Sequence, residues 1–268
     1  MKDTTSLLRL AQEAAVEAGQ EILKIYDTDF EVDYKEDQSP LTQADQKSNQ
    51  VIMSYLNSLD IPIISEENQQ LPYPERKDWK QFWLVDPLDG TKEFIKKNGE
   101  FTVNIALISD GIPVLGVIYV PVKKELFFGS EEAAFKMLNV ESKSDLDKAD
   151  KIQLQAKQPT SEVIVVASRS HLTPETEAFI DKIENSEGVF SVETISAGSS
   201  LKICMVAEAK ADVYPRYAPT MEWDVAAGHA ICHAAGVKVL QAGTDQELTY
   251  NKENLLNPWF VVGNRFLN

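Results

Sequence analysis

The chain has 268 residues, of which 43% are hydrophobic and 25% are charged, a composition typical of a globular protein with a substantial core. Its 26 basic and 42 acidic residues give a formal net charge of −16, which repels nucleic-acid polymers and anionic membranes. A small anionic substrate is not excluded, because metal ions and a few local cations can override the general field.

The first 19 residues carry scattered charges and no continuous apolar core, so they do not predict a secretory signal. No run approaches the roughly 20 apolar residues that a membrane span needs. The two cysteines, Cys204 and Cys232, form neither a disulfide framework nor a metal knuckle and are interpreted as reduced core residues. We therefore expect a cytoplasmic protein. Peripheral attachment to the inner membrane is left open, without support in the sequence.

Two helices are predicted first. Residues 4–26 repeat apolar side chains at helical spacing and predict a long packing helix. After the turn at Ser39-Pro40, a second helix begins at Thr42 to Asp45. Asp45 falls in its first turn, where a carboxylate is favoured by the helix dipole alone. This segment by itself does not distinguish helix stabilisation from chemistry.

Two apolar segments that end in acids follow. Residues 61–65 predict a short buried strand that leads into Glu66-Glu67, and the stretch WLVDPLDGTKEF at 83–94 predicts a strand, a tight turn after Asp86 and a helix start at Gly90-Thr91. Asp86 and Asp89 can then point to one place, where a divalent cation would remove their repulsion. A solvated acidic turn is the alternative, since a short motif can match by chance.

The remaining pattern divides the chain. Segments 101–108, 114–122 and 125–128 predict an antiparallel meander. From residue 162 onward strands alternate with helices, which favours an α/β layer; the predicted strands are 163–167, 189–192, 212–216 and 237–240, and the predicted helices are 174–185, 199–209 and 224–235. The fold class is therefore α/β, with an α+β half at 1–155 that carries the acidic motif and an α/β half at 156–268.

The second half adds one acid and several polar groups. Asp224 begins a predicted helix; alone it is an N-cap, but as a partner of the other acids it supplies a fourth carboxylate. SRSH at 168–171, GSSLK at 198–202 and YPR at 214–216 lie at strand ends or helix starts and offer cations and hydroxyls suited to a phosphate. Taken singly, Lys202 and Arg216 are most simply surface charges.

Four motifs together resemble the lithium-sensitive, magnesium-dependent phosphatases of the inositol monophosphatase superfamily. They are SPLTQAD ending at Asp45, SEE at Glu66, DPLDGTKEF from Asp86 and WDVAAG at Asp224, and their order and spacing match across essentially the whole chain. The TKEF ending at 91–94, together with SRSH, GSSLK and YPR, is most similar to the bacterial CysQ-type branch, the 3'(2'),5'-bisphosphate nucleotidases.

The resemblance implies a layered αβαβα sandwich and hydrolysis of adenosine 3',5'-bisphosphate to AMP and phosphate, as part of the turnover of that nucleotide in sulfur assimilation. It implies about two or three Mg²⁺ ions per site, bound by Glu66, Asp86, the Leu88 carbonyl, Asp89 and Asp224. Asp45 and Thr91, with Glu66, would position and deprotonate a metal-bound water that attacks in line, without a phosphoenzyme. The groups implied to contact the substrate are Glu66, Leu88, Asp89, Gly90, Thr91, His171, Ser199, Lys202, Arg216 and Asp224. Lys35 and Asp37 match the family's loop without an assigned role.

Two other functions stay open. An inositol or sugar monophosphatase on the same scaffold is distinguished by whether Lys202, Arg216 and His171 converge on one pocket. A non-catalytic phosphonucleotide-binding or metal-sensing protein would need a damaged water-activating pair, yet Thr91 and Asp45 are both present. Neither a nucleic-acid partner nor an integral membrane segment is expected, and the oligomeric state is not predicted.

Overall fold

The computed structural model describes residues 3–34, 40–168 and 173–267. The helices are α1 (Thr4–Tyr26), α2 (Gln43–Leu56), α3 (Tyr73–Arg76), α4 (Thr91–Ile95), α5 (Pro174–Glu184), α6 (Leu201–Ala207) and α7 (Glu222–Ala234), with a 3-10 turn at Lys143–Asp147. The strands are β1 (Val32–Tyr34), β2 (Pro40–Thr42), β3 (Ile63–Ser65), β4 (Gln81–Asp89), β5 (Thr102–Ser109), β6 (Ile112–Val120), β7 (Glu125–Ser130), β8 (Ala134–Met137), β9 (Lys151–Gln153), β10 (Glu162–Ser168), β11 (Ser191–Ala197), β12 (Val213–Arg216), β13 (Lys238–Gln241) and β14 (Phe260–Gly263).

A seven-stranded sheet holds β3 to β9 in chain order. The edge strand β3 pairs in parallel with β4, and the following neighbours pair antiparallel. The meander predicted for 101–128 is therefore confirmed. It continues into β8 and β9, which were not predicted because both are short and carry charged residues. One of these residues, Lys136, is buried between Glu125 and Glu208.

A five-stranded sheet in the order β11-β10-β12-β14-β13 forms the second half. β10 pairs in parallel with β11 and with β12, whereas β14 runs antiparallel to both of its neighbours. The predicted strand at 189–192 is misplaced, since β11 occupies Ser191–Ala197. β11 is an edge strand with mostly exposed or half-buried residues, and the apolar Phe190 that suggested the strand is itself 85% exposed. An apolar pattern therefore does not mark this strand.

Helices and sheets stack in five layers. α1 and α2 pack on the outer face of the seven-stranded sheet, against residues such as Trp83 and Ile105. Residues of α6 and α7 share a core with the other face of this sheet and with β12 to β14. Phe179 and Ile183 of α5 cover the far side of the five-stranded sheet. The αβαβα sandwich is confirmed.

The central layer joins the two predicted halves. One hydrophobic core contains Phe82 and Ile118 of the first half together with Ile203 and Ile231 of the second. The boundary between residues 155 and 156 stays a prediction. What the packing does establish is that α7, and with it Asp224, lies against the sheet that carries Asp86.

Among the described residues, none of the helices combines the length and the apolar character that crossing a membrane would require.

Candidate active site

Two parallel strand ends bring the first two acids together. Ser65 of β3 is in register with Val85 of β4, and the Glu66 amide donates to the Val85 carbonyl at 3.1 Å. Glu66 and Asp86 are the next residues on the two strands. Side chains at equivalent positions of neighbouring parallel strands lie side by side, so the pairing alone places both carboxylates at one sheet edge.

A bulge in β4 brings Asp89 to the same side. Asp86 pairs with Asn104 and Asp89 with Thr102, so two residues of β4 lie opposite one residue of β5. In a regular strand Asp86 and Asp89 would point to opposite faces, and one extra residue corrects this. The predicted tight turn after Asp86 is wrong, because the strand continues through Pro87 and Leu88 to Asp89. The predicted helix start at Thr91 is confirmed.

The third element of the acidic site is the first turn of α7. Asp224 Oδ2 accepts a hydrogen bond from the Met221 amide at 2.8 Å, so the residue caps its helix as well as facing the cleft. One carboxylate oxygen from each of Glu66, Asp86 and Asp224 lies within 4.8 Å of the others. Asp89 and Leu88 line the same cavity of about 460 Å³.

The electrostatics of this cluster favour a bound cation. Burial raises the pKa of Asp86 well above its usual value, and the charges of Glu66, Asp89 and Asp224 raise it further. The pKa of Asp224 is raised well above its usual value for the same reasons, burial first and then Asp89 and Glu66. Four acids around one cavity, with the pKa values of Asp86 and Asp224 raised, fit a hard divalent cation, which favours oxygen ligands.

Asp45 and Thr91 are in contact. Asp45 Oδ2 accepts hydrogen bonds from the amide and the hydroxyl of Thr42, both at 2.7 Å, in a capping box at the start of α2. Asp45 Oδ1 accepts the Thr91 hydroxyl at 3.1 Å. The same carboxylate therefore stabilises its helix with one oxygen and orients Thr91 with the other. Burial raises the pKa of Asp45.

The basic side of the cleft is formed by the start of α6 and the turn before it. Lys202 is buried, and its Nζ donates to the carbonyl oxygens of Ser199 at 2.6 Å and Ala197 at 3.2 Å. Because these partners carry no charge, burial lowers the Lys202 pKa to about 8. Ser199 has a left-handed backbone, with φ of 43°, and its buried hydroxyl has no hydrogen-bond partner among the described residues.

Two glycines let the acidic and basic sides approach each other. Gly90 has φ of 93°, and a Cβ there would lie 3.2 Å from the Ser199 Cβ. A Cβ on Gly198 would lie 2.8 Å from the Glu100 carbonyl oxygen. Side chains at these positions would push the α6 turn away from β4. Gly90 therefore determines the width of the cleft as well as its turn geometry.

Arg216, at the end of β12, lies where the two sides meet. Its Nη2 donates to the Pro219 carbonyl at 2.9 Å, and its buried Nε has no partner in the described part of the chain. A second cavity, of about 370 Å³, contains Ser199, Lys202 and Tyr214. This basic cavity adjoins the acidic one, because six residues line both: Asp89, Gly90, Lys92, Glu93, Arg216 and Asp224.

Some predicted site residues lie outside the described part of the chain, and some residues that line the cavities were not predicted. His171, Lys35 and Asp37 lie outside the described residues. Conversely, Lys92, Glu93 and Lys96 line the basic cavity without having been predicted as site residues. For Lys92 and Glu93 the signal was available, because both stand in the motif that carries the resemblance. Ser200 was also missed, although it stands inside the GSSLK motif.

Known proteins resemble this chain over nearly its whole length. The inositol monophosphatase family model matches residues 3–260. The 3'(2'),5'-bisphosphate nucleotidase CysQ of Salmonella typhimurium strain LT2 is 43% identical over 261 residues, which cover 96% of this chain and 99% of that protein. CysQ of Escherichia coli strain K12 is 43% identical over 250 residues, 91% of this chain and 94% of that protein. The crystal structure of CysQ from Bacteroides thetaiotaomicron superposes with a TM-score of 0.86 at 50% identity and 98% coverage of both chains. The chain therefore belongs to the inositol monophosphatase family and, within it, to the same group as these CysQ proteins.

Proposed function

We propose that the protein is a Mg²⁺-dependent 3'(2'),5'-bisphosphate nucleotidase that converts adenosine 3',5'-bisphosphate to AMP and phosphate, as in the turnover of this nucleotide in sulfur assimilation. The observation that carries the proposal is the adjoining pair of cavities, one acidic and one basic, with Arg216 between them. A substrate with two separate phosphates needs one site for the reacting group and a second for the other. The CysQ names of relatives 43% identical to the chain support the same substrate class.

The metal ligands proposed are Glu66, Asp86, the Leu88 carbonyl, Asp89 and Asp224. When bound, Mg²⁺ supplies Lewis-acid stabilisation of the phosphoryl oxygens and acidifies the attacking water. This contribution is needed because phosphate-monoester hydrolysis requires accelerations of up to about 10²¹-fold, whereas general acid–base catalysis supplies only about 10²–10⁴-fold.

The protein's own groups handle the proton. The Thr91 hydroxyl donates a hydrogen bond to Asp45 Oδ1. The lone pairs of Thr91 Oγ1 can then accept a hydrogen bond from the attacking water. As the water attacks, its proton moves to Thr91 Oγ1 while the Thr91 proton moves to Asp45 Oδ1. Asp45 remains in place during this transfer, because Thr42 holds its second oxygen.

The basic cavity binds the phosphate that does not react. Lys202 lines this cavity, and its Nζ has neutral hydrogen-bond partners in the described part of the chain. Ser199 and Arg216 contribute a hydroxyl and an N–H group that have no partner among the described residues. Hydrogen bonds from charged arginine and lysine side chains to phosphate are stronger than hydrogen bonds between neutral groups. We therefore expect a bisphosphate to bind more tightly than a monophosphate.

Phosphate release by the purified protein with Mg²⁺ tests this proposal. Adenosine 3',5'-bisphosphate, AMP and inositol 1-phosphate are compared at equal concentration, with an EDTA-treated sample as the metal-free control. We expect rapid release from the bisphosphate and little from the other two. Preference for inositol 1-phosphate would contradict the assigned substrate, and binding of the bisphosphate without release would contradict catalysis. A trapped phosphorylated residue would contradict direct attack by water.

A further inference from the structure

A buried hydroxyl connects the two sides of the cleft. Ser200 is 2% exposed, and its Oγ lies 2.7 Å from Asp89 Oδ2 and 2.8 Å from the backbone carbonyl of Asp224. Asp89 belongs to β4 and Asp224 to α7. One side chain from the α6 turn therefore contacts both of the elements that carry these acids.

Hydrogen bonds run in series from Thr102 through Asn104 and Ser200 to the carboxylate of Asp89. The Thr102 hydroxyl donates to Asn104 Oδ1 at 2.9 Å, which directs Asn104 Nδ2 towards Ser200 Oγ at 2.8 Å and, more distantly, towards Asp89 Oδ2 at 3.4 Å. With its lone pair engaged by Asn104, the Ser200 hydroxyl is left to donate. The carboxylate is the stronger acceptor because it is charged. The chain of donors therefore ends on Asp89 Oδ2.

This arrangement assigns different tasks to the two oxygens of Asp89. Oδ2 is engaged by Ser200 and Asn104, which leaves Oδ1 as the oxygen for the cleft. Thr102 and Asn104 are 0% and 1% exposed, so water does not compete for these hydrogen bonds. Asp89 is held as an acceptor in one orientation before any ligand arrives.

We propose that Ser200 is a positioning residue of the metal site, whose hydroxyl fixes the orientation of the Asp89 carboxylate. The inference rests on the Mg²⁺ dependence proposed above. Hydrogen-bond partners of this kind set the orientation of a ligand and typically change metal affinity about 10–100-fold when they are removed. Ser200 acts on the metal through Asp89.

Calorimetric titration of Mg²⁺ into the EDTA-stripped, dialysed full chain tests this role. We expect Ser200→Ala to raise the Mg²⁺ Kd about 10–100-fold, while kcat at saturating Mg²⁺ returns to within a few-fold of the unsubstituted value. The matched control is Ser199→Ala, which removes the neighbouring hydroxyl, one without a hydrogen-bond partner among the described residues. In that variant the Mg²⁺ Kd in the absence of substrate stays within about twofold, since the carboxylate contacts are untouched.

The outcomes separate the two proposals. If the unsubstituted protein binds no Mg²⁺, the proposed function fails. If it binds Mg²⁺ and folded Ser200→Ala binds equally well, Ser200 has only a structural role, visible as a lower Tm without metal, and the positioning role is refuted. Should Ser200→Ala fail to fold by far-UV circular dichroism, Ser200→Cys decides, because a thiol of similar size is a weaker donor. Weaker Mg²⁺ binding by Ser200→Cys supports the inference, and unchanged binding overturns it.

Discussion

The acidic and the basic sides of the cleft are built on opposite principles. The acids lie at the ends of regular elements and crowd one another, so burial first and then their mutual repulsion raise the pKa values of Asp86 and Asp224. Lys202 lies beside a turn, and its Nζ bonds to two backbone carbonyls. The acidic side leaves negative charge for a cation to neutralise, whereas the basic side keeps a positive charge for an anion. Lys202 has neutral hydrogen-bond partners, and the acids have other acids as neighbours. Neither the ammonium group nor the carboxylates are therefore neutralised by these neighbours, and both can bind ligands of opposite charge.

The largest expected effect is on the acidic side. Asp89→Asn removes one negative charge from the cluster while keeping the shape of the side chain. A bound metal contributes several kcal/mol of transition-state stabilisation, so we expect phosphate release to fall by about 10³-fold or more at roughly 1.4 kcal/mol per tenfold. Asp110→Asn is the control, because Asp110 is exposed in the turn between β5 and β6. A fully active Asp89→Asn enzyme would remove this residue from the metal site.

A smaller effect is expected at Thr91, which is hydrogen-bonded to Asp45 outside the four-acid cluster. Thr91→Ala removes the hydroxyl that Asp45 Oδ1 accepts and leaves the four-acid cluster unchanged. We expect kcat to fall about 10²–10³-fold, within the range of general acid–base catalysis, with little change in Mg²⁺ affinity. Thr91→Ser keeps the hydroxyl and is expected to retain most of the activity. Equal losses in the two variants would mean that the hydroxyl does not carry the proton.

On the basic side the effect falls on substrate binding. Arg216→Ala removes one charged hydrogen-bond donor, worth about 1.5–3 kcal/mol, so we expect KM for the bisphosphate to rise about 10–100-fold. KM for a monophosphate changes much less. Arg265→Ala is a matched control, because Arg265 also donates to a backbone carbonyl, that of Thr160, but lies elsewhere. Equal changes in both KM values would argue against recognition of the second phosphate by Arg216.

The smallest effect is the pH dependence of the basic side. The free Lys202 side chain, with its pKa lowered to about 8, is charged below pH 8 and loses its proton as the pH rises through that value. We expect kcat/KM for the bisphosphate to fall by up to about tenfold between pH 7 and pH 9, since this ratio reports the free enzyme. Lys202→Arg stays charged over this range and is expected to lack the decrease. An identical decrease in Lys202→Arg would assign it to another group.

The sequence already determined most of the fold, because local patterns encode local elements. Apolar side chains at helical spacing marked 4–26, which α1 occupies in full, and alternation marked the meander. The pattern failed where a strand buries little apolar surface. β11 at an edge and the short, exposed β9 owe their existence to neighbouring strands rather than to their own residues. The apolar, buried β14 was missed although its own residues favour a strand.

The acids of the candidate site were visible in the sequence for a similar reason: each stands at the end of an apolar run or at a helix start. Their convergence on one site was not visible in the sequence. The register of β3 against β4, the bulge between Asp86 and Asp89, and the packing of α7 on the seven-stranded sheet depend on contacts between residues far apart in the chain. The same is true of Lys202, a surface charge by pattern and a buried group in the structure.

The amino-acid sequence by itself thus determined which chemical groups the protein has and on which elements they lie, because helix and strand periodicity are local properties. Only the tertiary structure decided how those groups meet. It placed four acids from three segments around one cavity, and it directed the Ser200 hydroxyl from the α6 turn onto Asp89. Burial and long-range pairing set the protonation and the orientation of each group, and neither can be calculated from a residue's neighbours in the chain.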